Sequence, residues 1–139
     1  MVRRDIAGSK IARASTWLDD AGRLFDQHSD AFVAAVGDRD LAIFYLFLAI
    51  QECIDLAAHW VADAAWGPPD DAGSTFDVLA DRGVLDRGLA DAMREASGLR
   101  NRIAHGYAML DYRRVQAEAR QGIPALRTFL ANVAREAGL

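Results

Sequence analysis

The sequence predicts an all-α protein, a bundle of four to five helices, and three observations carry that reading. Apolar residues recur at about 3.6-residue spacing through most of the chain. No segment shows the alternation of a half-buried strand, and the punctuation is that of helix caps. With 139 residues, 52% of them hydrophobic and only 3 Pro, the chain can bury one core and is neither disordered nor low-complexity. A single domain over 1–139 is expected.

Ile11, Ala14, Leu18, Ala21 and Phe25 form one stripe, which predicts an amphipathic first helix from about Asp5 to His28. Ser29-Asp30 either breaks it or caps a short continuation to Val36, with Gly37 as the stop. Asp38 is then the expected N-cap of a long second helix ending near Trp66. Its stretch Leu41 to Ile50 is apolar on every side and so must be enclosed by its own domain or by a second subunit. Gly67-Pro68-Pro69-Asp70-Asp71-Ala72-Gly73 is a loop. Ser74-Thr75-Phe76-Asp77 matches a capping box and opens a short helix that ends at Gly83. Asp86 caps a fourth helix running to about His105, and Asp111 caps a fifth. Gly122 and Pro124 are expected to interrupt or kink that last helix before it resumes to Ala137.

Bulk properties narrow the function. A net charge of −4 argues against a protein that coats nucleic acid by bulk attraction. Of its 16 cations 15 are Arg, a side chain suited to bidentate phosphate contacts within a local site. The lone Cys53 sits among apolar residues and reads as a buried, inert thiol. Three His and one Cys without clustering predict no metal site, and no cofactor is expected. The N-terminus is charged and not followed by a signal-peptide core. The apolar run Leu41 to Ile50 is shorter than the about 20 residues that a bilayer requires. A cytoplasmic protein with no membrane partner is the expectation.

The chemistry concentrates between Gly98 and Tyr107. Arg100 is a phosphate-binding cation, Asn101 an amide, His105 an acid/base imidazole and Tyr107 a phenol. On a continuous helix Arg100 and Tyr107 share one stripe, while Asn101 and His105 share the next. Such a set suits cleavage of a phosphodiester without a metal. The imidazole exchanges protons with the ribose 2′-hydroxyl or the leaving oxygen, and the guanidinium stabilises charge on the phosphoryl oxygens. One His does not readily serve as base and acid together, so a two-fold homodimer that joins two such segments would complete the site.

The spacing R-x-x-x-x-H alone is weak, since chance supplies about a third of an occurrence in this composition. Arg23 and His28 form a second copy, read as accidental. Requiring Tyr two positions beyond the His removes that copy, because position 30 is Asp. The longer pattern is expected by chance fewer than about 0.01 times.

Arg100-Asn101-Arg102-Ile103-Ala104-His105-Gly106-Tyr107 resembles the R-x-x-x-x-H-x-Y signature of the HepT family within the HEPN superfamily. The stretch from Gln51 to His59 and the run from Pro69 through Ser74-Thr75-Phe76-Asp77 to Leu85 are similar to that family too, so that the resemblance covers roughly Arg39 to Ala131. It implies a HEPN-type helical bundle acting as a homodimer, and a metal-independent ribonuclease toxin with an RNA substrate. Arg100 and His105 would be catalytic, with Asn101 supporting them. The implied antidote is a minimal nucleotidyltransferase antitoxin that transfers AMP to Tyr107. On the shared stripe, the added phosphate would lie beside Arg100. Gly106 stands where an acidic residue often precedes the tyrosine, and a glycine there can end the helix and loosen Tyr107.

Singly, each residue has a plainer reading: a solvated Arg100, a locally bonded Asn101, a His105 at the helix C-terminus, a half-buried Tyr107. The four together favour the site. Glu52 and Asp55 are either buried partners that hold Arg100 or Arg102 in place or surface carboxylates. A non-catalytic HEPN module that only partners a nucleotidyltransferase is the alternative reading. A helical dimer that binds a nucleotide or small anion is a third.

Overall fold

A computed structural model describes residues 2–139, and every regular element among them is helical. Met1, the first residue of the domain expected over 1–139, lies outside the described residues. Five helices follow in order: α1 (Arg4–Gln27), α2 (Val36–Asp63), α3 (Ala72–Asp81), α4 (Arg87–Gly106) and α5 (Tyr112–Glu136), with a 3-10 turn at Tyr107–Met109 between the last two. Helix α2 touches all four others. Helix α1 lies along it, α5 bridges α1 and α4, and α3 packs on α4.

The stripe read from the sequence faces inward: Ala14, Leu18, Ala21 and Phe25 of α1 are buried, and Ile11 packs against the core. Phe76 of α3 meets Phe129 of α5 edge-on, their ring centroids 5.5 Å apart. One hydrophobic cluster runs from Val2 to Ala137 and includes Phe32 from the segment between α1 and α2. That segment is a series of turns rather than a continued helix. It is pinned by Gln116 of α5, whose amide Nε2 donates to the Ser29 carbonyl at 2.7 Å.

Several boundaries differ from those expected. Gly37 does not stop a helix but lies in the first turn of α2. Asp38 is not the N-cap either, since it is already helical; its Oδ2 lies 2.6 Å from His28 Nε2 and ties the end of α1 to the start of α2. The His28 of the accidental motif copy is therefore a fold tether. The cap of α3 is Asp71, three residues earlier than expected. Its carboxylate accepts from the Ser74 backbone at 2.7 Å, and its own N–H donates to Ser74 Oγ at 2.9 Å. Asp86 and Asp111 do cap α4 and α5, accepting from Leu89 and Arg114 N–H groups at 2.7 and 3.2 Å. Helix α5 runs through Pro124 unbroken. The carbonyl that the proline leaves without a donor belongs to Arg120, which is exposed, so water can satisfy it.

Helix α2 is long and apolar enough to cross a membrane by length and composition, and half of that stretch is buried within the bundle. The bundle does not enclose it completely. Ala42, Ile43, Leu46, Ala49 and Ile50 are buried, whereas Leu41 is 40% and Phe44 53% exposed. Cys53 is fully buried on this helix, and desolvation pushes its thiol far above the ordinary range, which keeps it inert.

Candidate functional site

The amphipathic run from Asp86 carries α4 along the bundle, burying Leu89, Met93, Leu99 and Ile103. With those side chains turned inward, Arg100 and Arg102 are half-buried while Asn101 and His105 are exposed. Arg100 is held on two sides. Its Nε donates to Gln51 Oε1 of α2 at 2.9 Å, and its Nη1 donates to Asn101 Oδ1 at 2.8 Å. The guanidinium carbon lies 5.6 Å from the Phe47 ring centroid. Nη2 makes no hydrogen bond among the described residues, which leaves donors for an incoming anion.

Glu52 and Asp55 do not pair directly with Arg100 or Arg102, and the structure corrects that expectation. Glu52 turns to α1, where Lys10 Nζ is 3.2 Å and Arg13 3.5 Å away. Asp55 reaches Arg100 only through an intermediary: Gln51 Nε2 donates to Asp55 Oδ1 at 3.1 Å while Gln51 Oε1 accepts from Arg100. Lys10, already paired with Glu52, also stands 3.6 Å from Asp55 and so joins the two carboxylates. The orientation of Arg100 is thus linked through Gln51 and Asp55 to the packing of α1 on α2.

Arg102 makes its ion pair with Glu118 of α5 at 2.5 Å, and Arg114 shares that carboxylate at 2.7 Å. Burial alone would raise the Glu118 carboxyl, but hydrogen bonds from the two guanidiniums outweigh it and hold the group below its usual range. Between this clasp and the end of α4 lies a groove of about 510 Å³ lined by Asn101, Arg102, His105 and Arg114. His105 occupies the last turn of α4 and opens into it.

Tyr107 departs from the expected stripe. Gly106, at φ −147° and ψ 33°, ends the helical path, and Tyr107 begins the 3-10 turn that Leu110 closes by donating its N–H to the Tyr107 carbonyl at 3.2 Å. The phenol consequently reaches the start of α2, where its hydroxyl donates to Asp40 Oδ1. Arg39 Nε donates to the same oxygen at 3.0 Å, and the Arg39 guanidinium lies 3.9 Å from the centroid of the Tyr112 ring. Burial first, and then the Asp40 carboxylate, push the Tyr107 hydroxyl well above its ordinary range. The Tyr107 hydrogen bond holds Asp40 below its own. The cation beside the Tyr107 oxygen is Arg39, not Arg100. Tyr107 instead lines a shallow apolar groove with Phe44, Phe47 and Ile103, and Arg100 approaches it only through the Phe47 ring.

Asn101 therefore joins the two parts of the motif, bonded to Arg100 on the α2 side and lining the same groove as His105, while Tyr107 turns away to Asp40. Sequence reasoning missed Gln51, Asp40, Arg39 and Glu118 as their partners. Gln51 carried a signal, being an amide within an apolar helix and four residues from Asp55; Asp40 and Glu118 carried none that spacing reveals. Among the described residues no group of three or more His, Cys, Asp or Glu is placed to hold a metal ion.

The family described as ribonuclease HepT-like matches residues 15–133. A provisionally named RNase of Archaeoglobus fulgidus is 29% identical over 92 residues, covering 66% of this chain and 69% of that protein. The mRNA nuclease HepT of Shewanella oneidensis is 30% identical over 73 residues, 52% of this chain and 55% of its own length. Among solved structures, the tri-AMPylated HEPN toxin of Shewanella oneidensis in complex with the MNT antitoxin superposes with a TM-score of 0.86 at 24% identity, covering 94% of this chain and 98% of that one.

Proposed function

From the premise that this chain belongs to the ribonuclease HepT-like family, we propose that it is a ribonuclease toxin, a single cytoplasmic domain acting as a homodimer. Its RNA-cleaving residues are Arg100 and His105, and an antitoxin nucleotidyltransferase silences it by transferring AMP to Tyr107. The observation that carries this reading is the posture of the site: Arg100 fixed by Gln51 and Asn101 with donors to spare, and His105 exposed in an open groove one turn further on. A guanidinium held in advance stabilises charge on phosphoryl oxygens without reorganising during the reaction.

In the proposed reaction, His105 takes the proton of a ribose 2′-hydroxyl as that oxygen attacks the adjacent phosphorus. Arg100 neutralises the charge that builds on the non-bridging oxygens, and the bond to the 5′-oxygen breaks to leave a 2′,3′-cyclic phosphate. A second His105, from a two-fold partner, protonates the leaving oxygen. The exposed Leu41 and Phe44 of α2 support dimerisation. An AMP group on Tyr107 would fill the groove over Phe47 and obstruct the approach to Arg100, a steric block rather than the direct phosphate–Arg100 pair that an unbroken helix implied.

The test is RNA cleavage by Arg100→Ala and His105→Ala proteins in the presence of EDTA. Both variants should lose at least about a hundredfold in rate while keeping helicity and dimerisation, and the wild type should leave cyclic phosphate ends. Wild-type activity in either variant would place the chemistry on other residues, and a wild type that cleaves no RNA would favour a non-catalytic module that partners the nucleotidyltransferase.

A further inference from the structure

Whatever modifies Tyr107 must deal with a phenol that burial and a neighbouring carboxylate both keep protonated. A protonated phenol is a poor nucleophile, so its proton must leave as the new bond forms. The group in hydrogen-bond contact with that proton belongs to this chain: the Tyr107 hydroxyl donates to Asp40 Oδ1. Asp40 sits in the second turn of α2, and its side chain is nearly half exposed, so a proton it accepts can pass on to water. The charged and titratable groups around the pair are Arg39 on α2, whose Nε is 3.0 Å from the same Asp40 oxygen, and Tyr112 on α5, whose ring lies 6.1 Å from that of Tyr107. The Tyr107 hydrogen bond and, after it, Arg39 keep Asp40 ionised and ready to accept, and a cation there also suits the phosphoryl group that arrives at the phenolic oxygen.

We propose that Asp40 is the proton acceptor for adenylylation of Tyr107, so that the toxin brings the base for its own silencing. The inference rests on the reading above that Tyr107 receives AMP from a nucleotidyltransferase. In the step, Tyr107 Oη bonds to the α-phosphorus of ATP and the bond from that phosphorus to the oxygen bridging the β-phosphorus breaks. Pyrophosphate leaves, and the phenolic proton moves to the Asp40 carboxylate and then to solvent. The acidity of the phenolic oxygen rises as the bond to phosphorus forms, so a carboxylate is a competent acceptor late in the transfer.

Asp40→Asn separates proton acceptance from positioning, because the amide keeps an oxygen that can accept from Tyr107 but cannot take its proton. The experiment incubates wild type, D40N, D40E and Tyr107→Phe with ATP and the minimal nucleotidyltransferase encoded nearest to this chain in its genome. Added AMP is followed by intact mass at several pH values, and circular dichroism checks that each variant is folded. Tyr107→Phe should gain no AMP. D40N should be modified about a hundredfold more slowly than wild type, with a rate that climbs about tenfold per pH unit through neutrality as solvent takes over the proton. D40E should regain a rate insensitive to pH in that range. Wild-type rate and profile in D40N would overturn the inference, as would a slow D40N that keeps the wild-type profile and is not rescued in D40E, the mark of a positioning role. A wild type that gains no AMP would overturn the underlying reading itself, and the inference with it.

Discussion

Arg100 owes its orientation to a residue with no charge. Gln51 uses both ends of its amide, accepting from Arg100 and donating to Asp55, so it aligns the guanidinium while leaving its charge uncompensated by a carboxylate. Had Glu52 or Asp55 paired with Arg100 directly, the cation would be partly neutralised and less able to bind phosphate. Gln51→Leu preserves the apolar volume of α2 but removes both hydrogen bonds. RNA cleavage by that variant should fall by about tenfold to a hundredfold, in kcat more than in KM, with thermal stability little changed. An unchanged kcat in single-turnover kinetics would show that Arg100 does not need this support. Charge and spacing drew attention to Glu52 and Asp55 in the sequence. The neutral Gln51 between them and the site is marked in the sequence only by its place in an apolar helix, four residues from Asp55, which does not say that it meets Arg100.

At the scale of elements, the end of α4 is defined by two opposed devices. Gly106 stops the helix and lets Tyr107 turn toward α2, while the Arg102–Glu118–Arg114 clasp fixes the last turns of α4 against α5. The caps at Asp86 and Asp111 were legible because an N-cap is a local contract between a side chain and an N–H three residues on. The cap of α3 is ambiguous in the sequence because Asp71 and Ser74 can each cap, and tertiary placement decides for Asp71. The clasp has a pH signature. The Glu118 carboxyl titrates below its usual value near 4.5 in the folded protein. Its contribution to stability is therefore complete above that value and is lost as the pH falls through the lower, folded one. Glu118→Gln should have a lower Tm than wild type at neutral pH and a smaller further drop on acidification below about pH 4.5. Parallel Tm curves for the two proteins down to pH 3 would show that the clasp adds nothing.

The whole molecule is organised around α2, which every other helix touches and which still shows Leu41 and Phe44 to the outside. An apolar face next to a half-built acid–base site is what a two-fold partner would cover. Sedimentation at tens of micromolar should therefore find a dimer, since a roughly micromolar interface is saturated there. Phe44→Asp, which places a charge on that face without touching the core, should give a folded monomer with greatly reduced RNA cleavage. A wild-type monomer, or a dimeric and active Phe44→Asp, would remove the dimer from the mechanism. By itself the sequence determined the all-helical class, the inward stripe of α1 and the caps of α4 and α5. Each of these depends on residues a few positions apart, where helical periodicity fixes who can meet whom. Tertiary structure alone decided that Tyr107 answers to Asp40, 67 residues away, and that Arg102 answers to Glu118. Those pairings follow from how α2 and α5 lie across the end of α4, and no local periodicity encodes such a crossing.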